Sequence, residues 1–289
     1  MTAKAAVVGW PIQHSLSPVL HGHWLKEYGI DGAYEKIAIE PGRFETAIRD
    51  LQDRGYRGVN VTVPFKEDAF ALATEARQAA QMARAANLLI FKPDGTIGAD
   101  NTDATGLFDS LQATLEPLFA DGKKIVVLGA GGAARAAVLG LQIFGHAASI
   151  CVVNRTKARA DSLIAQMGGL HPPTILQATS FDEWRDAAQD AALVINTTSA
   201  GMKDNPPLDL DLAALPASAA VCDIVYNPLM TPLLKDAQAR GHKIVDGLGM
   251  LMHQAAPSFQ AFFYDEMGGK APLVTRGLRD ALIRALGHG

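Results

Sequence analysis

Two groups of residues in this chain have types and spacing suited to redox chemistry on a carbonyl. The first is the stretch IVVLGAGGAARAA, Ile125 to Ala137, followed at the end of the next apolar run by VNRT, Val153 to Thr156. Gly129 permits a tight turn, Gly131 lets backbone N–H groups approach a pyrophosphate, and the small Ala134 lets the following helix lie against a sheet. Together they read as a dinucleotide cradle. A chain that binds NAD places an Asp or Glu for the ribose 2′-OH roughly 20 positions after the first glycine. Here Asn154 and Arg155 stand near that position, with Lys157 and Arg159 close behind. Cationic side chains suit a 2′-phosphate, so the expected cofactor is NADP(H) rather than NAD(H).

The second group is Lys66, directly after the run NVTVPF, and Asp103, the last residue of DNTD. Reducing a carbonyl creates an alkoxide, and a cationic lysine can stabilise that charge and supply the proton. A carboxylate beside it would hold the ammonium and favour its charged form. The competing readings are a solvated lysine at a helix start, and Asp100 and Asp103 as caps of the next helix. Ser15, Ser17, Asn60, Thr62, Asn87 and Gln254 add hydroxyls and amides of the kind that fit a ligand carrying several hydroxyls. Ser17, before Pro18, has the alternative of capping a helix. His14 and His253 are assigned no role.

These groups need a scaffold that gathers them. Apolar β-rich runs alternate with amphipathic stretches almost throughout, the pattern of α/β layering with largely parallel sheets. Strands are expected at 5–9, 33–39, 58–63, 87–91, 96–100, 124–129, 149–154, 174–179, 193–198, 220–225 and 243–247. The turn sequence PDGT between the fourth and fifth makes a hairpin, so the first sheet is expected to be mixed. Helices are expected at 104–119, 249–267 and 271–287. Because the dinucleotide turn starts only near residue 125, a separate α/β domain must precede it. The expected division is a substrate-binding and catalytic domain of residues 1–102 with 251–289, and a Rossmann-type NADP-binding domain of 103–250. Ligands of open α/β sheets sit beyond the carboxyl ends of the strands. The polar clusters WPIQHSLSP, PFK, NTD, SAGM and YNP all follow strand-like runs, and one cleft between two domains would collect them.

Bulk properties exclude other classes. The formal charge of -4 and pI near 6.1 offer no electrostatic ground for nucleic acid, and no apolar run has membrane-spanning length. No signal peptide is seen, so the expected location is the cytoplasm. Cys151 and Cys222 lie in apolar strand-like runs and are expected to be buried thiols. The eight histidines form no HExxH pattern, and no metal is expected.

In order along the chain, GWPIQHSLSP, NVTVPFK, DNTD, GAGGAARA, NRT, NTTSAGM and DGLGMLMHQA resemble the shikimate dehydrogenases. The resemblance runs from about Gly9 to Gln260. It implies NADPH-dependent interconversion of 3-dehydroshikimate and shikimate on the way to aromatic amino acids. It implies that Ser15 and Ser17 bind the substrate carboxylate, that Asn60, Thr62, Asn87 and Gln254 meet ring hydroxyls, and that Lys66 and Asp103 are the catalytic pair. Tyr226 would close over substrate and cofactor. Gly129, Ala130, Gly131, Gly132 and Ala133 would hold the pyrophosphate, and Asn154, Arg155, Thr156, Lys157, Ala158 and Arg159 the adenosine 2′-phosphate. Ile224 and Gly247 would lie by the nicotinamide, and the C-terminal helices would return to the first domain. The small-molecule substrate is the only partner implied, with the protein a monomer or homodimer. Two residues depart from the common family pattern: Leu88 in AANL, and Ala104 in NTDA, which lacks the backbone freedom of glycine. They leave room for a quinate or aminoshikimate dehydrogenase, or for a sensor of NADP(H) or shikimate without turnover.

Overall fold

The computed structural model describes residues 2–115, 119–168, 174–203 and 205–287. It divides into two compact units, Met1–Thr102 with Leu251–Gly289, and Asp103–Met250.

The first unit opens with β1 (Ala3–Gly9), α1 (Ser17–Glu27), β2 (Gly32–Ala38), α2 (Phe44–Asp53), β3 (Gly58–Val61), α3 (Lys66–Leu72), β4 (Glu75–Ala76), α4 (Gln78–Ala83), β5 (Leu88–Phe91) and β6 (Ile97–Asp100). Its sheet runs in the order β2-β1-β3-β5-β6-β4. β1 is parallel to β2 and β3, whereas β5 is antiparallel to both β3 and β6. The hairpin expected around PDGT is present and makes the sheet mixed. On one face α2 turns Phe44, Ile48 and Leu51 inward onto Val59, Val61, Phe65 and Leu89, with Phe44 stacked on Phe65 at 5.0 Å.

The second unit contains α5 (Asp103–Thr114), β7 (Lys124–Leu128), α6 (Gly132–Ile143), β8 (Ser149–Val153), α7 (Lys157–Met167), β9 (Ile175–Thr179), α8 (Trp184–Ala188), β10 (Ala191–Asn196), β11 (Ala220–Asp223), α9 (Pro232–Ala239) and β12 (Lys243–Val245). Its sheet is wholly parallel in the order β12-β11-β10-β7-β8-β9, the doubly wound arrangement of a Rossmann unit. Near-continuous apolar strands such as Ile125 to Leu128 are buried because helices cover both faces. Gly140 brings α6 close to α5, since a Cβ there would lie 2.9 Å from the Ala104 carbonyl oxygen.

The chain then forms α10 (Gly247–Phe262) and α11 (Arg276–Ala285), and from Leu251 onward it belongs to the first unit. α10 and the residue after it deliver Phe259, Phe262 and Phe263 to the second face of the mixed sheet, where Phe259 packs against Trp24 of α1 at 5.2 Å and against Phe263 at 4.8 Å. Gly58 makes that approach possible, because a Cβ there would lie 2.6 Å from the Phe262 ring.

Three helices have bounds that differ from expectation. α5 ends at Thr114 instead of running to 119, and 116–118 lie outside the described residues. α10 begins two residues early and stops at Phe262, after which turns run to Gly268 and Gly269, both left-handed. Residues 271–275 are not helical, and the start of α11 is set by Thr275 accepting from the Leu278 N–H at 3.2 Å. Every expected strand is found, and the two-residue β4 is additional. Cys151 and Cys222 are both free and buried. Among the described residues no helix is long and apolar enough to cross a membrane.

Candidate active site

In the first unit, polar side chains converge where β1, β3 and β6 end. The reversed direction of β5 is decisive, because it puts Asn87, the residue before that strand, beside the end of β3. There the Asn87 carbonyl accepts from Val61 N–H at 2.9 Å. The Asn87 amide oxygen accepts from Thr102 N–H at 2.9 Å, and its nitrogen donates to Thr102 Oγ1 at 3.0 Å. Thr102 Oγ1 in turn donates to the Gln254 carbonyl at 2.8 Å, and Asn87 Nδ2 lies 3.4 Å from Gln254 Oε1. Gln254 of α10 is thus held against the ends of the hairpin.

Asn60 is the hub of the other half. Its amide nitrogen donates to the Asn87 carbonyl at 3.1 Å and to Ser258 Oγ at 2.7 Å, while its oxygen accepts from the Tyr34 hydroxyl at 2.7 Å. Both amide hydrogens are therefore engaged, and what Asn60 offers a ligand is the remaining lone pair of its oxygen. Tyr34 also hydrogen-bonds the Ser17 side chain, and burial pushes its phenol well up from the usual range. Ser15 Oγ lies 3.3 Å from Ser17 Oγ and accepts from Ser17 N–H at the same distance. Ser17 is the first residue of α1, with Leu16 in the cap position, so the capping alternative for Ser17 does not hold. His21 stacks face to face on Tyr34 at 3.8 Å; burial lowers its pKa to about 3 and keeps it neutral.

Thr62 is half-buried just past β3, and Lys66, also half-buried, is the first residue of α3. The Lys66 carbonyl accepts from Ala86 N–H at 2.8 Å, which ties the lysine to the segment leading into Asn87. Asp103 is buried as the first residue of α5, where a carboxylate is favoured by the helix dipole. Asp100 has other duties, accepting from Asn101 N–H and pairing with Arg77 at 3.2 Å. Neither departure from the family pattern disturbs this framework. Leu88 is fully buried in β5, and Ala104 is the second residue of α5, in helical backbone that asks nothing of glycine.

In the second unit, Gly129 takes φ +107, a conformation that favours glycine, and donates its N–H to the Val153 carbonyl at 2.8 Å. A Cβ there would meet Thr197 Oγ1 at 2.9 Å and Thr198 at 3.0 Å. Gly131 caps α6 without any side-chain cap, and the space above Gly131 and Gly132 is open to 4 Å. Ala130 and Ala133 complete the turn, and Ala134 is fully buried against the sheet. Such a turn, with uncapped N–H groups at a helix start, fits a pyrophosphate.

At the end of β8, Asn154 Nδ2 donates to the Thr156 carbonyl at 2.8 Å, and Arg155, Thr156, Lys157, Ala158 and Arg159 are exposed. Lys157 pairs with Asp161 one turn along α7 at 2.8 Å, which leaves Arg155 and Arg159 as the cations directed to solvent. Beyond β11, Ile224 N–H donates to the Asn196 carbonyl at 3.1 Å, and the Ile224 carbonyl lies so close to Gly247 that a Cβ there would sit 2.1 Å from it. Tyr226 follows on the same loop, partly buried, with its phenol pKa raised by desolvation.

Family models match both units: the shikimate dehydrogenase substrate binding domain over residues 7–89, and shikimate / quinate 5-dehydrogenase over residues 113–203. The chain belongs to the shikimate dehydrogenase family. It is 47% identical over 287 residues to the shikimate dehydrogenase (NADP(+)) of Methylobacterium radiotolerans, covering 99% of this chain and 98% of that one. It is also 47% identical over 284 residues to the enzyme of the same name from Acidiphilium cryptum, covering 98% and 95%. Among solved structures it is similar to the shikimate 5-dehydrogenase of Thermus thermophilus in complex with NADP(H) and shikimate. That likeness has a TM-score of 0.84 at 34% identity, over 98% of this chain and 100% of the other. The two-domain shikimate dehydrogenase fold expected from the motifs is therefore the fold of this chain. Sequence reading passed over Tyr34, Thr102, Ser258, Asn196 and Asp223. Each works through partners distant in sequence, and only Thr102 and Asn196 lay inside a recognised motif.

Proposed function

We propose that this chain is an NADP-dependent shikimate dehydrogenase, catalysing the reversible reduction of 3-dehydroshikimate to shikimate. The observation that carries the reading is near-full-length identity of 47% to a named enzyme of this activity, in a chain that keeps both Lys66 and Asp103. NADPH, when bound, supplies a hydride to the C3 carbonyl carbon of the substrate. Lys66 donates the proton that the developing alkoxide oxygen requires. Asp103 orients the lysine and accepts from a substrate hydroxyl. Ser15 and Ser17 present hydroxyls to the substrate carboxylate, and Thr62, Asn87 and Gln254 take the ring hydroxyls, with Asn60 reduced to an acceptor. Tyr226 closes over the substrate.

For the cofactor, Gly129 to Ala133 cradle the pyrophosphate, Asn154 to Arg159 take the 2′-phosphate with Arg155 foremost, and Ile224 and Gly247 flank the nicotinamide. Residues 1–102 with 251–289 serve as the substrate domain and 103–250 as the cofactor domain. Two free, buried thiols agree with work in the reducing cytoplasm, as a monomer or homodimer. The test is calorimetric binding of NADPH and shikimate alongside turnover. Binding of both ligands with turnover is expected; binding without turnover would make the chain a sensor instead.

A further inference from the structure

Asp223, at the end of β11, is a fully buried carboxylate that the mechanism above does not use. Its direct neighbour across the sheet is Asn196, the last residue of β10, also fully buried. Asp223 Oδ1 accepts from Asn196 Nδ2 at 3.0 Å and from Val225 N–H at 3.0 Å, and Oδ2 accepts from Thr231 Oγ1 at 2.7 Å. Asn196 is thereby fixed with its amide oxygen outward, where it accepts from Thr198 N–H at 3.0 Å and Thr198 Oγ1 at 2.7 Å. Thr198 Oγ1 then accepts from Ala200 N–H at 3.1 Å.

Of the two loops so held, the one after β10 faces the cofactor turn and the one after β11 lies against Gly247. Thr197 and Thr198 are the residues that leave no room for a side chain at Gly129, and Thr197 Oγ1 donates to the Leu128 carbonyl at 2.6 Å. Ile224 sits between Asp223 and Val225, the residues joined by the Asp223 Oδ1 turn, and its carbonyl abuts Gly247. Burial raises the pKa of Asp223, and the hydrogen bonds from Thr231, Val225 and Asn196 oppose that rise. A carboxylate kept in such a place, where an unpaired one would be costly, is held by the donors it organises.

We propose that Asp223 is a positioning residue for the nicotinamide half of the cofactor site, setting the β10 loop against the glycine turn through Asn196 and the β11 loop against Gly247 through Val225. This rests on the cofactor reading above. Asp223 touches neither substrate nor cofactor; it acts through Ile224, Thr197 and Thr198. The 2′-phosphate half, carried by the β8 loop and Arg155, does not depend on it.

The experiment compares Asp223→Ala, Asp223→Asn and Thr198→Val with wild type. It measures KM for NADPH, kcat, the primary isotope effect with 4-deuterated NADPH, and calorimetric affinity for adenosine 2′,5′-bisphosphate, which reads the phosphate half alone. Asp223→Ala is expected to raise KM for NADPH and lower kcat by about tenfold each, with adenosine bisphosphate affinity within about twofold of wild type. Asp223→Asn keeps one oxygen for Asn196 and Val225 and turns its amide nitrogen to Thr231, so it restores both parameters to within about threefold. Thr198→Val breaks the outer link without touching the buried carboxylate, and raises KM for NADPH by about threefold even if the Ala variant fails to fold. Equal losses for NADPH and adenosine bisphosphate, or a lowered melting temperature with unchanged kinetics in all three variants, overturn the positioning role. Wild-type protein that does not bind adenosine bisphosphate overturns the cofactor reading itself.

Discussion

Asn87 and Thr102 hold each other through both polar atoms of the asparagine amide: the Thr102 N–H and hydroxyl oxygen lie 2.9 and 3.0 Å from Asn87 Oδ1 and Nδ2. This pair closes the open end of the β5–β6 hairpin and carries Gln254 through the bond from Thr102 to the Gln254 carbonyl. Asn87→Ala leaves a buried Thr102 N–H without its acceptor, so it is expected to cost about 1–3 kcal/mol of stability. It also raises KM for shikimate while leaving KM for NADPH unchanged. Urea titration and steady-state kinetics check the two parts; unchanged stability would mean that Thr102 finds another acceptor.

Lys66→Ala is expected to lower turnover by about two to four orders of magnitude, as removal of a general acid does. Rapid-mixing measurement of NADPH oxidation with 3-dehydroshikimate reads this directly. Turnover that survives the substitution removes Lys66 from the mechanism.

Arg155→Ala should weaken NADP(H) far more than NAD(H), because the contact proposed for its guanidinium is to the 2′-phosphate alone. Lys157→Ala should have the smaller effect, since Lys157 is paired with Asp161. Calorimetry with both dinucleotides decides, and equal weakening by Arg155→Ala would mean that this loop does not select the cofactor.

His21 makes stability depend on pH in a defined window. Its pKa is lowered from 6.5 to about 3 by burial, and neither ring nitrogen has a hydrogen-bond partner among the described residues. Above pH 6.5 it is neutral in both folded and unfolded states and adds no pH dependence. Below that value the unfolded chain takes up a proton that the folded chain refuses, so stability falls as pH falls, by about 1.4 kcal/mol per unit at most, until about pH 3. His21→Phe keeps a ring on Tyr34 and removes the titrating group. Denaturation midpoints between about pH 6 and pH 4 are expected to fall less steeply in that variant, and identical slopes would refute the assignment.

Much of this arrangement was legible in the sequence. Apolar runs located every strand longer than two residues, and the glycine turn with NRT marked the cofactor unit, because those signals are local. Several expected strands ran past the true carboxyl end. Thr62 and Val63, Asn154, Thr197 and Thr198, and Ile224 and Val225 look like strand continuations but lie beyond the strands. At two of these ends a side chain takes over the backbone hydrogen bond, Asn196 receiving Thr198 N–H and Asp223 receiving Val225 N–H. β-branched residues continue the pattern there while a buried polar group turns the chain out toward the site. The roles of Tyr34, Ser258 and Asp223 stayed hidden because their partners are set by strand order and by the return of α10, which periodicity does not encode.

The most direct measurement of the central claim is the specificity constant for shikimate and for quinate, each with NADP and with NAD, on the wild-type protein. The shikimate and NADP pair is expected to exceed the other three, with NADPH oxidation strictly dependent on 3-dehydroshikimate in the reverse direction. A higher specificity constant for quinate, or no turnover of shikimate with NADP, would contradict it.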